Sequence, residues 1–269
     1  MDDHRHLPDV DRLSVVIALI LIAYSTTAFI HLPTRSIELQ LPGFLLQLNL
    51  NFNTLVASMS ALLAAAGSDW LLSSHPSLDN KLRWQHWLLP AFSAVAVGIT
   101  LGTLPLGPTW WIIFALGAVL MAGVLVSEYI SADPYDLRFS FAVIGLTAVS
   151  YALFLIIVIS LVGAGFRLYI LLSALVPTVF LVSARTLFLR LGGKWTLGWA
   201  GGITLILTQI AAALYYLPLT PLQLSMSLLG LLYGLVSVAV NLEEKRHGQA
   251  VWLEPVFMTL CFVVLGFLL

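Results

Sequence analysis

Charged side chains standing inside long apolar runs mark where chemistry would sit in this chain. Asp69, Glu128, Arg185 and Glu254 are the four. A charge in lipid is expensive unless it is paired or reaches water, so each needs a stated reason. Glu254 opens an apolar run, where a helix dipole favours an acid. Asp69 and Glu128 close theirs, where the dipole disfavours one. Each therefore requires a cation or a hydrogen-bond donor. Arg185, a turn deeper than Arg190, is the expected partner by depth. With Asn241 these residues make a candidate polar cluster, Asp69, Glu128, Arg185 and Asn241, facing the cytoplasm. Its plainer reading is structural pairing with snorkelling to the interface.

A second candidate lies in residues 49–69, NLNFNTLVASMSALLAAAGSD. On a helix Asn49, Asn53, Ala57, Ser60, Ala64 and Gly67 form one stripe without a large side chain. Small residues let helix backbones approach closely in lipid, so the stripe reads first as a packing seam. Its functional reading is a narrow polar groove with Asn49 and Asn53 at the outer mouth. Gly98/Gly102 and Gly230/Gly234 have the same small-residue spacing and suit either an internal or a subunit contact. At mid-depth Asn53 and Gln209 each need a partner, and Pro177 places a kink or hinge in its helix.

Familiar catalytic signatures are missing. HExxH, GxSxG and GxxxxGK[ST] do not occur, and Gly192-Gly193-Lys194-Trp195 is not a phosphate loop. The lone Cys261 excludes an internal disulfide and a CxxC pair. The six histidines, His4, His6, His31, His75, His86 and His247, avoid the centres of the apolar runs and make poor haem or metal ligands. No lysine lies in a run to carry a Schiff base. No cofactor and no metal are expected, and the enzyme reading is the weakest.

These residues are positioned by an apolar chain. Of 269 residues 60% are hydrophobic and 9% charged, whereas soluble domains carry about 25% charged residues. A net charge of −1 gives nucleic acid no basic surface; the expected partner is the lipid bilayer, with other membrane subunits through small-residue helix faces. Runs of about 20 apolar residues span a bilayer. They occur at 13–32, 45–70, 86–104, 109–130, 139–163, 167–189, 197–217, 222–242 and 252–269. The expected fold is an all-α polytopic membrane bundle of about nine transmembrane helices, one domain over 1–269 behind a cytoplasmic tail at 1–12. The acidic start and the length of the first run read as a retained helix rather than a cleaved signal.

Only Arg35 and Arg167 of the 12 Lys and Arg residues fall on one side of these spans. The positive-inside rule then places the N-terminus in the cytoplasm and the C-terminus outside. All eight tryptophans fall at run boundaries, as interfacial belts require. Leu104-Pro105-Leu106-Gly107-Pro108 and Leu217-Pro218-Leu219-Thr220-Pro221 share LPLxP at an offset of 113, which also aligns Gly117 with Gly230 and Glu128 with Asn241. The offset suggests two four-helix units in parallel orientation plus a ninth helix. Three functions remain open: a non-catalytic assembly subunit, a small-solute or lipid transporter, and a lipid-modifying enzyme with a cytoplasmic-face site. A bacterial inner membrane is the expected location.

Overall fold

The computed structural model describes residues 8–30, 35–41, 44–75, 84–133, 135–245 and 251–269, with backbone alone along 35–41 and 44–50. His4, His6, His31, Lys81, Arg83, Arg246 and His247 lie outside the described residues, with most of the expected tail.

Nine helices form among the described residues: α1 (Val10–Phe29), α2 (Phe52–Leu72), α3 (Leu88–Thr103), α4 (Pro108–Ile130), α5 (Phe139–Gly163), α6 (Leu168–Arg190), α7 (Leu197–Leu214), α8 (Pro221–Glu243) and α9 (Leu253–Leu268). Eight are long and apolar enough to cross a membrane, the third when taken with the 3-10 turn Trp84–His86 ahead of α3. α9 is shorter, with 16 residues, or about 24 Å.

Two boundaries differ from the sequence reading. α1 starts at Val10 rather than 13, because the Asp9 carboxylate accepts from the Asp11 N–H and caps it. α2 starts at Phe52 rather than 45. Asn51 is extended and its side-chain oxygen accepts from the Thr54 N–H at 2.8 Å, which fixes the helix start. The residues before it pair as an antiparallel hairpin, β1 (Arg35–Leu41) with β2 (Phe44–Leu50), in register from Leu41↔Phe44 to Arg35↔Leu50. Asn49 therefore stands in a strand and drops out of the helical stripe. Ala57, Ser60, Ala64 and Gly67 remain in it, all buried.

The chain forms two compact units, Met1–Ala142 and Val143–Leu269. In the first, α2 runs along α3 and α1, and α4 closes against α3 and α1. Ile20 and Tyr24 of α1, Ala64 and Leu71 of α2, Ala94 of α3 and Met121 and Leu125 of α4 share its core. Backbones come close where the sequence placed small residues: a Cβ on Gly98 would stand 2.7 Å from the Ala57 Cβ. The Gly98/Gly102 seam is thus an internal α2–α3 contact. The buried Tyr24 hydroxyl donates to the Ala94 carbonyl, tying α1 to α3.

In the second unit α8 pairs with α9, α6 with α7, and α8 also touches α6 and α7. Gly230/Gly234 faces α9: a Cβ on Gly230 would lie 2.9 Å from the Phe262 Cβ, and the Thr259 hydroxyl donates to the Gly230 carbonyl at 2.9 Å. Pro221 opens α8 behind a capping box between Thr220 and Gln223. Trp199 donates its indole N–H to Glu243 at 3.3 Å, joining α7 to α8.

Candidate functional site

Asp69, Glu128 and Asn241 stand near the ends of their helices. In the first unit α2 and α4 finish where α3 starts. Glu128 stands two residues before the end of α4, and the 3-10 turn Trp84–His86 carries His86 to it. His86 Nδ1 and Glu128 Oε2 are 2.7 Å apart, with side chains 3% and 1% exposed. The Ser68 hydroxyl of α2 donates to the His86 carbonyl at 2.9 Å. One short turn thereby ties three helices. A buried carboxylate without a donor would carry a desolvation cost of several kcal/mol; His86 is the donor that the end of α4 requires.

Asp69 finds a donor too. Its carboxylate accepts from the Trp87 indole N–H at 3.3 Å. The His75 ring meets the Tyr129 ring edge-on at 4.6 Å on the next turn of the chain. Sequence reasoning passed over His86 as a poor haem or metal ligand. Its position one turn ahead of a helix, next to Trp87, was the available signal.

Arg185 and Asn241 belong to the second unit. Asn241 is 2% exposed and donates from Nδ2 to the Val251 carbonyl at 3.2 Å, tying the end of α8 to the start of α9. Arg185 is 2% exposed, and its guanidinium stands 5.3 Å from the Phe188 ring on the same helix. A further cluster escaped the sequence reading because Arg190 looked like an ordinary helix end. Its Nη2 donates to the Ser237 hydroxyl at 3.5 Å, and its guanidinium lies 6.0 Å from the Tyr233 ring. The Tyr233 hydroxyl donates to Glu254 at 2.8 Å, so Glu254 serves a bond as well as the helix dipole.

Asn53, Gln209 and Pro177 stand apart from one another in role. Asn53 donates to the Gly102 carbonyl at 3.4 Å, so seam and groove coexist. Beside the seam lies a cavity of about 360 Å³ reaching Asn53 and Trp110, and a second of about 260 Å³ reaching Ser58 and Gly98. Pro177 sits on an exposed face of α6, which continues unbroken from Leu168 to Arg190. Gln209 is exposed on α7. The His, Cys, Asp and Glu residues form no group of three or more able to hold a metal ion among the described residues.

Apolar helices of membrane-crossing length, tied at their ends by a few buried polar bonds, define the class of this protein. Residues 32–269 match the family described as Protein of unknown function (DUF5656), and the chain belongs to that family. No curated protein and no solved structure matches it.

Proposed function

We propose that the protein is a non-catalytic, multi-pass subunit of a membrane complex, and that it meets its partner through α7. The reading rests on the face of α7 that carries Gly198, Gly202, Gln209 and Ala213, all exposed. Nothing lies within 4 Å of a Cβ placed on Gly198, Gly201 or Gly202. These glycines follow small-xxx-small spacing, which lets a second helix come close. Gln209 stands about 7.5 Å from the Leu214 end of a helix about 27 Å long. At that depth lipid offers its carboxamide no partner. Serine and threonine on other exposed faces solve this locally, as Ser58 does by donating to Thr54 O and Ser160 to Ile156 O. Gln209 makes no such bond among the described residues. A partner helix supplying an amide or hydroxyl at that level would satisfy it.

The bias of Lys and Arg supports a cytoplasmic N-terminus, and counting α9 as a ninth span puts the C-terminus outside. A short α9 crosses with modest thinning of the bilayer around it. A bacterial inner membrane fits the same bias. The lipid-modifying reading of Asp69 and Glu128 loses weight because Trp87 and His86 already engage them.

Native mass spectrometry of gently extracted protein tests the proposal. A stoichiometric protein partner is expected with the native chain. Gly202→Ile and Gln209→Leu should each reduce its occupancy at least tenfold while leaving the chain folded. Equal occupancy in both variants, or a lone native chain, would overturn it.

A further inference from the structure

A groove beside the α2–α3 seam, within the first unit, is lined by Asn51, Asn53 and Gly102, which also line the smaller cavity. It exists for a packing reason. Glycine at 98 and 102 draws α3 against Ala57 and Asn53 of α2. Small residues that bring backbones together leave the flanks of the contact unfilled. Where α3 finishes and turns at Leu104–Gly107 into α4, the flank widens toward Trp110.

The groove carries polar groups with unused capacity. The Asn51 side-chain oxygen is taken by the N–H and hydroxyl of Thr54, which leaves its NH₂ without a bond among the described residues. Asn53 spends its NH₂ on Gly102 at 3.4 Å, and its oxygen accepts none among the described residues. One donor and one acceptor thus stand within two residues of each other. The described residues lining both cavities are uncharged. The indole of Trp110, stacked on Phe114 with ring centroids 5.2 Å apart, forms part of the wall.

We propose that this groove binds an uncharged, hydroxyl-rich group, such as a hexose, with the hydroxyls on Asn51 and Asn53. The lining selects that class by exclusion. Among the described residues no counter-charge lines the groove to hold a desolvated ionic group. A purely apolar group would offer nothing to the Asn51 NH₂ or the Asn53 oxygen. Hydroxyls both donate and accept, and an aromatic wall suits the apolar face of a sugar ring. About 360 Å³ falls within the range of small-ligand sites. The same chemistry comes from a glycolipid headgroup in the leaflet or from a free sugar. On the proposed topology the groove opens extracytoplasmically; its chemistry is independent of the α7 partner.

The test uses the full chain in phosphatidylcholine nanodiscs, read by native mass spectrometry. Monoglucosyl-diacylglycerol, diacylglycerol and phosphatidylglycerol are offered in competition, with methyl glucoside added separately. The native chain should retain the glucosyl lipid at least tenfold over diacylglycerol. Asn53→Leu, which removes the acceptor, should abolish that preference, and so should Leu106→Trp, which fills the groove and touches no seam residue. Competition by methyl glucoside supports a free sugar as the ligand; lack of competition with the preference intact supports a lipid headgroup. No preference in the native chain, an unchanged preference in Leu106→Trp, or a preference for phosphatidylglycerol would overturn the proposal.

Discussion

The α3–α4 pair of the first unit and the α8–α9 pair of the second share lengths, motifs and contacts in opposite chain order. α4 and α8 each have 23 residues, each opening with proline after an LPLxP turn. α3 and α9 each have 16 residues. Each shorter helix is entered through WLxP, Trp87-Leu88-Leu89-Pro90 and Trp252-Leu253-Glu254-Pro255. Gly117 of α4 faces Val97 of α3, where a Cβ would come within 2.7 Å; Gly230 of α8 faces Phe262 of α9, within 2.9 Å. Glu128 reaches back to His86, and Asn241, its equivalent, reaches to Val251, the equivalent of His86. A collinear repeat at an offset of 113 would give Gly230 to α7. It faces α9 instead, so the correspondence is permuted.

The differences between the copies are instructive. Both need a tie between the end of the long helix and the entry to the short one. A neutral carboxamide on a carbonyl suffices in the second unit. Helix packing therefore does not demand the ionisable His86–Glu128 pair of the first. The outer flanks differ as well. α3 carries Gly98 and Gly102 and receives α2, whereas α9 carries Val263 and an exposed Phe267 at those positions. Glycine invites a helix; branched and aromatic side chains suit lipid.

Glu128→Leu breaks the comparison hardest. It strands His86 in a buried site and should lower stability by about 2–3 kcal/mol, read as a fall in the thermal midpoint in detergent. Glu128→Gln sharpens it. If a neutral tie suffices, this variant should recover most of the loss. Recovery of none would show that the charge itself holds the first module together.

The paired glycines come next. Gly117→Leu and Gly230→Leu should each cost about 1–3 kcal/mol by overpacking. Gly123→Leu, with open space around it, should stay within about 0.5 kcal/mol. Unequal costs at 117 and 230 would mean that the modules resemble each other in outline alone. Asn241→Leu removes one neutral buried bond and should cost about 1–2 kcal/mol, less than Glu128→Leu.

A small effect is expected at Arg138, beyond the module. Asp136, 2.9 Å from its guanidinium, holds the Arg138 pKa above the ordinary arginine value. A raised pKa stabilises below the unfolded value and is lost only as pH rises through the folded one, far into alkali. Between pH 6 and 9, Arg138→Ala should therefore change stability by a constant amount under about 1 kcal/mol. A pH-dependent difference in that window would contradict the assignment.

Helix existence was legible because apolar runs of membrane-crossing length are long enough to pair their backbones internally only as helices; α5 falls on the run read for it, 139–163. The start of α2 was not, since residues 45–50 are as apolar as the helix that follows, and only the cap at Asn51 divides them. Small-residue spacing marked both seams without naming their partners. Gly98 meets α2 and Gly230 meets α9, choices that periodicity on one helix cannot encode. LPLxP aligned α4 with α8, but the match of α3 to α9 required the Gly117–Val97 and Gly230–Phe262 contacts before the WLxP likeness acquired meaning.

The candidate site was read at the level of need rather than of partner. Asp69 and Glu128 had to find donors because they oppose a helix dipole, and that much composition and helix register determined. That the donors are Trp87 and His86 was decided by the turn before α3, which folds back between the ends of α2 and α4. Sequence by itself set the apolar runs, their expected orientation and the residues that must not stand alone. Tertiary structure decided who satisfies them, because hydrogen bonds act over about 3 Å and residues 42 apart, such as His86 and Glu128, come that close only when helices pack.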